Sequence, residues 1–308
     1  MILCCGEALI DMIPAPTAAG PDGFVPHAGG AVFNTAIALG RLGARAGMLT
    51  GLSTDMFGRQ LAEALKASHV DTSQVIQSGR PTTLAFVRLV DGHATYCFFD
   101  ENSAGRMLEP AAMPKLPAEI SALFFGGISL ASEPCAEAYA VLLEREGQGR
   151  AVMIDPNIRP RFIKDITRYR ARLDRMVAQA DIVKVSDEDL NWLLPDPLSL
   201  QEKVFALLER GPSVVILTRG GEGATGYLAG GAEVQVPAVR AEIADTVGAG
   251  DTFNAGVLAK LSELGQLTKP ALAALPPETL EQAMRYGAKV ASVTVSRPGA
   301  NPPWAEEL

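Results

Sequence analysis

The residues best suited to chemistry lie toward the C-terminal end, in Asp245-Thr246-Val247-Gly248-Ala249-Gly250-Asp251-Thr252-Phe253-Asn254-Ala255-Gly256. Gly248, Ala249 and Gly250 open an apolar stretch with helical spacing over residues 251–264. The first N–H groups of a helix have no intrahelical acceptor, and here no large side chain shields them, so the segment forms a natural anion site. Asp251 falls in the first turn, where the helix dipole favours its carboxylate form and a neighbouring anion opposes that preference. A carboxylate beside an anion hole can take the proton from a hydroxyl as that hydroxyl attacks a phosphoryl group. A first-turn acid can equally serve as a plain helix cap, and the segment on its own leaves both roles open.

Other segments carry residues able to hold a ligand. Gly29-Gly30 lets backbone approach a ligand closely, and Asn34, one turn into the following helix, can both donate to and accept from neighbouring hydroxyls. Asp155-Pro156-Asn157-Ile158-Arg159-Pro160 follows a buried strand, at the edge where open α/β sheets place ligands, and Arg159 offers a cation with five donors. Gly221-x-Gly223-x-x-Gly226 satisfies the dinucleotide fingerprint, which requires a helix next. Residues 227–236 read instead as strand, Gly-rich turn and strand, so a nicotinamide-dependent oxidoreductase fails on context. No Gly-x-x-x-x-Gly-Lys-Ser/Thr occurs, so phosphate binding rests on Gly248 to Gly250 rather than on a P-loop.

Positioning these residues falls to alternating elements. Apolar strand-like runs at 2–5, 46–52, 123–125, 151–154, 182–185 and 214–218 alternate with helical patterns at 31–42, 58–68, 134–146, 167–178 and 200–209. Two further helices, 251–264 and 278–293, close the chain. The pattern predicts an α/β fold whose mostly parallel sheet is covered by helices. One segment breaks it: residues 84–90 and 93–99 flank Asp91-Gly92, a two-residue hairpin signal. Pairing about that turn places Ala85, Val87, Leu89, Ala94, Tyr96 and Phe98 on one apolar face. With the Pro- and Gly-punctuated residues 13–28, the hairpin predicts a small β lid, an edge hairpin packed on the core being the plain alternative. There is no internal repeat, low-complexity tract or linker. The expected organisation is one domain over 1–308, with a discontinuous lid at about 13–28 and 82–106.

Composition bounds the rest. With 308 residues, 48% hydrophobic and 20% charged, the chain is of ordinary soluble globular type rather than disordered or fibrous. Its 27 basic and 35 acidic residues give a net charge of -8 with no basic run, which offers no nucleic-acid surface. Cys4, Cys5, Cys97 and Cys135 show neither CxxC spacing nor companion histidines, which fits a reducing cytoplasm with the thiols as small buried hydrophobes. The first basic residue is Arg41, so the charged start of a signal peptide is missing. The uncharged stretch 23–40 is interrupted by Pro26, His27, Gly29, Gly30 and Asn34, which makes it a poor membrane span. A cytoplasmic protein without a membrane partner is expected.

The 245–256 segment resembles the C-terminal signature of the ribokinase-like (PfkB) sugar kinases, and Gly29-Gly30-Ala31-Val32-Phe33-Asn34-Thr35-Ala36 with Leu39-Gly40-Arg41-Leu42-Gly43 resembles their N-terminal one. Both fall in the expected order, and the resemblance covers essentially the whole chain. It implies a ribokinase-like three-layer α/β/α fold and transfer of the γ-phosphoryl group of ATP to a sugar hydroxyl, with Mg2+ on the phosphates. Asp251 is then the base, with the Gly248, Ala249 and Gly250 amides on the phosphoryl group. Asp11, at the end of Gly6-Glu7-Ala8-Leu9-Ile10-Asp11, resembles the family acid that accepts hydrogen bonds from the sugar, beside Gly29, Gly30, Asn34, Tyr96, Phe98, Asn157 and Arg159. The resemblance puts Lys184, Ser186, Thr218, Gly220, Gly221, Gly223 and Ala288 on ATP, and a monovalent cation, K+, near Asp245, Val247 and Gly299. Ser186 and Asp189 stand where many relatives have Asn-x-x-Glu, and Pro303 where some place a serine cation ligand. Gly6 to Asp11, Asp155 to Pro160, Lys184 to Glu188, Phe98-Phe99 and Ala104-Gly105-Arg106 resemble the fructose-phosphorylating branch. The alternative acceptors are 2-keto-3-deoxygluconate, ribose and nucleosides. Lids of this family often pair between subunits, which implies a homodimer through the lid.

Overall fold

The structure, a computed structural model, describes residues 1–18, 20, 23–90 and 93–308, without the side chains of 88–90 and 93–96. The strands are β1 (Ile2–Cys5), β2 (Leu9–Ala15), β3 (Gly23–Gly29), β4 (Ala46–Leu49), β5 (Gly51–Ser53), β6 (Ile76–Ser78), β7 (Leu84–Val90), β8 (His93–Phe99), β9 (Ala122–Gly126), β10 (Ala151–Asp155), β11 (Ile182–Ser186), β12 (Val214–Thr218), β13 (Ala224–Leu228) and β14 (Glu233–Val236). The helices are α1 (Ala31–Arg41), α2 (Met56–Ala67), α3 (Cys135–Glu146), α4 (Ile166–Val177), α5 (Asp187–Leu193), α6 (Leu200–Leu208), α7 (Ala249–Glu263), α8 (Lys269–Ala273) and α9 (Pro277–Val295).

An eight-stranded sheet in the order β14-β13-β12-β11-β10-β9-β1-β4 forms the middle layer, parallel from β12 to β4 and antiparallel at the β13–β14 edge. Its parallel strands are near-continuous buried apolar runs, as expected when both faces are covered. Alternate residues point to opposite layers. Ile2, Cys4, Phe124 and Met153 pack with residues of α1, α2, α7 and α9, whereas Leu3, Cys5, Phe125 and Ile154 pack with residues of α3, α4, α5 and α6. The three-layer α/β/α architecture follows from that alternation. From β1 the chain builds β4 on one side and β9 to β12 on the other, so the order reverses between β1 and β9, the kind of crevice where open α/β sheets bind ligands.

The stretch 46–52 is not the single strand its apolar run suggests. β1 ends at Cys5 and Gly6 N–H donates to Leu49 O, so beyond Leu49 the chain turns away and β5 pairs with β6 in a separate two-stranded sheet. Helix α8 escapes the sequence reading because it is five residues long and carries Pro270 in its first turn, capped by Thr268. No helix among the described residues is long and apolar enough to cross a membrane.

The second sheet has the order β3-β2-β7-β8. Its hairpin pairs Ala85 with Phe98, Val87 with Tyr96 and Leu89 with Ala94, the register expected from an Asp91-Gly92 turn; those two turn residues lie outside the described residues. The sheet begins at Leu9 rather than Ile13, and this earlier start matters because it includes Asp11. Asp11, Ala85 and Phe98 are cross-strand neighbours in one row, on the face turned toward the main-sheet loops. On the opposite face Phe86 stacks edge-on with Phe24 at 5.0 Å and Phe99 at 5.4 Å, and Phe24 and Phe99 are 48% and 57% exposed. Cys97 pairs with Phe86 on this outward face and is exposed, contrary to the expectation of buried thiols. Cys4, Cys5 and Cys135 are buried, and burial pushes their thiols well above the ordinary range.

Candidate active site

A cavity of about 360 Å³ opens at the carboxyl ends of β1, β9, β10 and β11, between the second sheet and the start of α7. It brings together Asp11, Gly30, Asn34, Phe98, Asn157, Arg159, Lys184, Val247, Gly248, Ala249, Gly250 and Asp251, residues scattered over the sequence.

The start of α7 is built as an open anion site. Gly248 is its N-cap with φ 79°, a left-handed conformation that glycine adopts freely, and no side chain caps this end among the described residues. A Cβ there would lie 2.7 Å from that of Ala300, so even alanine would be crowded. Asp251 is therefore not the cap. Its side chain is buried, with Oδ2 accepting a 2.9 Å hydrogen bond from Asn34 Nδ2. Burial is the chief reason its pKa is pushed up to about 7, with Asp155 and Glu7 adding to the rise while Asn34 and Lys184 oppose it. A carboxyl group in that range is matched to general-base work near neutral pH.

Asn34, which lines the cavity, donates one amide N–H to Asp251, and Thr35 Oγ1 donates to the Asp251 carbonyl at 3.1 Å. Helix α1 thus holds the base. The helix is in turn held by Glu7, a buried acid that accepts from Ala31 N at 3.1 Å and Ser129 N at 3.2 Å, supplying the cap that Gly30 lacks. Burial raises the Glu7 pKa against those hydrogen bonds. Sequence reasoning passed over Glu7, although an acid in an apolar run ahead of an uncapped helix start was a usable signal.

Gly29 does not line the cavity. A Cβ there would collide with Asp11 Oδ2, so its lack of a side chain makes room for the Asp11 carboxylate, while Gly30 forms the wall. Burial pushes the Asp11 pKa up to about 6. Phe98 meets Phe162 edge-on at 4.3 Å, closing one side; Phe162 was not anticipated. Arg159 reaches the rim, its Nη1 donating to Ile158 O at 3.1 Å. The Tyr96 side chain lies outside the described residues.

Lys184 is buried beside the anion turn, 3.0 Å from Asp155 Oδ2. Burial opposes its charge, but Asp155, with Asp189 and Asp251 beyond, holds its pKa above the usual lysine value. The other residues expected on the nucleotide are not among those that line the cavity. Ser186 and Thr218 are register partners at the ends of β11 and β12, and Gly220, Gly221 and Gly223 form the turn after β12. That turn enters β13, not a helix, so the dinucleotide fingerprint fails in the structure as well. Ser186 Oγ accepts from Asp189 N and the Asp189 carboxylate accepts from Ser186 N and Ile158 N, a capping box that orders α5. Ala288 packs on the main core from α9. Asp245 accepts from Val247 N at 3.0 Å and Gly299 N at 2.9 Å, so the expected cation residues are together, with both carboxylate oxygens already engaged by backbone donors.

A base matched to neutral pH, set against an amide cradle for an anion, is what phosphoryl transfer to a hydroxyl requires. Comparison with known proteins gives the class: the chain belongs to the pfkB family of carbohydrate kinases, matched over residues 1–307. It shares 52% identity over 291 residues with a fructokinase of Rhizobium leguminosarum bv. trifolii, covering 93% of this chain and 86% of that protein. With fructokinase-1 of Oryza sativa subsp. japonica it shares 32% over 317 residues, covering 100% and 95%. Among solved structures, a fructokinase with bound ATP from Xylella fastidiosa matches with a TM-score of 0.90 at 28% identity, covering 99% and 96% of the two chains. A fructokinase from Vibrio cholerae O395 in a fructose, ADP and calcium ion bound form matches with a TM-score of 0.81 at 25% identity, covering 97% and 94%. The fold is the ribokinase-like one, and the protein is a carbohydrate kinase.

Proposed function

We propose that this protein transfers the γ-phosphoryl group of ATP to a hydroxyl of D-fructose, giving fructose 6-phosphate. The observation that carries the reading is the placement of Asp251: buried, with a pKa near 7, and sharing one cavity with Asp11 and the open N–H groups of the α7 start. Fructose is favoured over other sugars by the 52% identity to a fructokinase across most of the chain. In this reading Asp11 accepts hydrogen bonds from the sugar, with Asn157 and Arg159 at the rim and Phe98 over it. Asp251 takes the proton of the attacking hydroxyl while the Gly248 to Gly250 amides and Lys184 meet the charge on the phosphoryl oxygens. The nucleotide runs from that turn past Ser186 and Thr218 to Gly220, Gly221 and Gly223, with Ala288 near its base. Mg2+ carried by the nucleotide would neutralise its phosphate oxygens, as suits an ion that prefers phosphate oxygens and water. A cytoplasmic location accords with ATP as co-substrate and with four free cysteines.

ADP release measured across fructose, ribose, 2-keto-3-deoxygluconate and nucleosides tests this. Fructose should give the highest kcat/KM; no advantage over ribose or 2-keto-3-deoxygluconate overturns the sugar choice, and no release with any acceptor overturns the kinase reading.

The partner we infer for the outward face of the second sheet is a second copy of the chain. Phe98, from the apolar face picked out in the hairpin, is turned into the cavity, so pairing would use the exposed Phe24 and Phe99 of the opposite face instead. Sedimentation should find a dimer that Phe99→Asp converts to monomer; a wild-type monomer at micromolar concentration refutes the pairing.

A further inference from the structure

Asp155 ends β10 at the cavity wall, only 2% exposed, and its Oδ2 accepts from both Lys184 Nζ at 3.0 Å and Asn254 Nδ2 at 2.7 Å. Lys184 comes from β11 and Asn254 from α7, three residues beyond Asp251, so one carboxylate ties two sheet strands to the helix that bears the base. The ammonium ends against the anion turn: a Cβ built on Gly250 would lie 3.3 Å from Lys184 Nζ. Asn254 is fully buried, and its Oδ1 has no partner among the described residues, a cost tolerated while Nδ2 serves Asp155.

We propose that Asp155 and Asn254 are positioning residues that hold the Lys184 ammonium beneath Gly250, where it meets the transferred phosphoryl group. The proposal rests on the phosphoryl-transfer reading above. Lysine has three donors on a flexible stem, so one hydrogen bond to Asp155 sets its place and leaves donors for a phosphoryl oxygen. The tether also settles a competition. Asp251 faces Glu7 from the loop after β1, Asp155 from β10 and Lys184 from β11, with Asn34 of α1 donating to it. Released from Asp155, the ammonium is free to pair with Asp251, which would both remove the cation from the phosphoryl group and weaken the base.

The test measures kcat, both KM values and the pH profile of kcat/KM for the wild type, Asp155→Asn and Asn254→Ser. Asp155→Asn should lower kcat about 10- to 100-fold, leave the KM for fructose within about two-fold, and move the acid limb about one unit to lower pH. Loss of packing alone would lower activity without moving that limb, and loss of the Asp155 charge alone would move the limb without lowering kcat, so the tether requires both. Asn254→Ser should lower kcat more mildly with the limb unmoved. Where Asp155→Asn folds poorly through its unpaired lysine, Asp155→Asn with Lys184→Met removes both members of that ion pair, and its kcat should match that of Lys184→Met alone. A kcat for Asp155→Asn within about two-fold of wild type, an unmoved limb, or a further ten-fold loss in the double variant overturns the tether. A wild-type protein that phosphorylates no sugar removes the kinase reading and the tether with it, whereas a wild-type kinase with unaffected variants removes the tether alone.

Discussion

Asp251→Asn is expected to lose about 10²- to 10⁴-fold in kcat while folding normally, the usual cost of removing a general base. Asparagine keeps the shape and an oxygen able to accept from Asn34 Nδ2, so the α1–α7 contact survives. The acid limb of the wild-type kcat/KM profile should fall near pH 7, because the free enzyme is active only with Asp251 ionised and burial holds that ionisation at about 7. The same shift makes stability fall as pH rises. The folded chain keeps its proton up to about pH 7, whereas the unfolded carboxyl loses it near 3.8, so burying Asp251 grows more costly as pH rises through that window. Asparagine escapes this cost, so the variant should melt above the wild type at pH 8, with the gap closing toward pH 4. Scanning calorimetry at both pH values, alongside turnover, checks the pair. Near-normal turnover in Asp251→Asn, or a flat profile from pH 8 down to pH 5.5, would remove Asp251 from the reaction.

Asp11→Ala should cost about 10²- to 10⁴-fold in kcat/KM for fructose, since hydrogen bonds to a charged acceptor are worth about 1.5–3 kcal/mol each and two neighbouring hydroxyls would lose theirs. The KM for ATP should change by less than about three-fold, because Asp11 stands on the second sheet, away from the residues after β11 and β12. Saturation curves for each substrate separate the two. A loss shared equally between them, or none, would place the sugar elsewhere in the cavity.

Much of this architecture is legible in the chain because its signals are local. Buried parallel strands declare themselves as short apolar runs, and the Asp91-Gly92 signal fixes the hairpin register because strand side chains alternate with period two. The α7 start is readable for the same reason: small residues ahead of an apolar helix leave donors bare whatever surrounds them. The limits of strand and helix shifted by a residue or two, and β5 and α8 escaped, because a neighbour's end or a single cap decides them.

The residue types of the site, Asp251, Gly248 to Gly250, Asp11 and Lys184, and the order of the elements that carry them can be read from one dimension. Their partners cannot. Asn34 meets Asp251 across 217 positions, Asp155 meets Asn254 across 99, and Gly29 matters through a carboxylate on the neighbouring strand. Nothing in local spacing says which buried carboxyl will be held by an amide, paired with a lysine or left to take a proton. That depends on desolvation and on charges brought within a few ångströms by separate strands and helices, and both arise only when the sheet closes and its loops converge on one crevice.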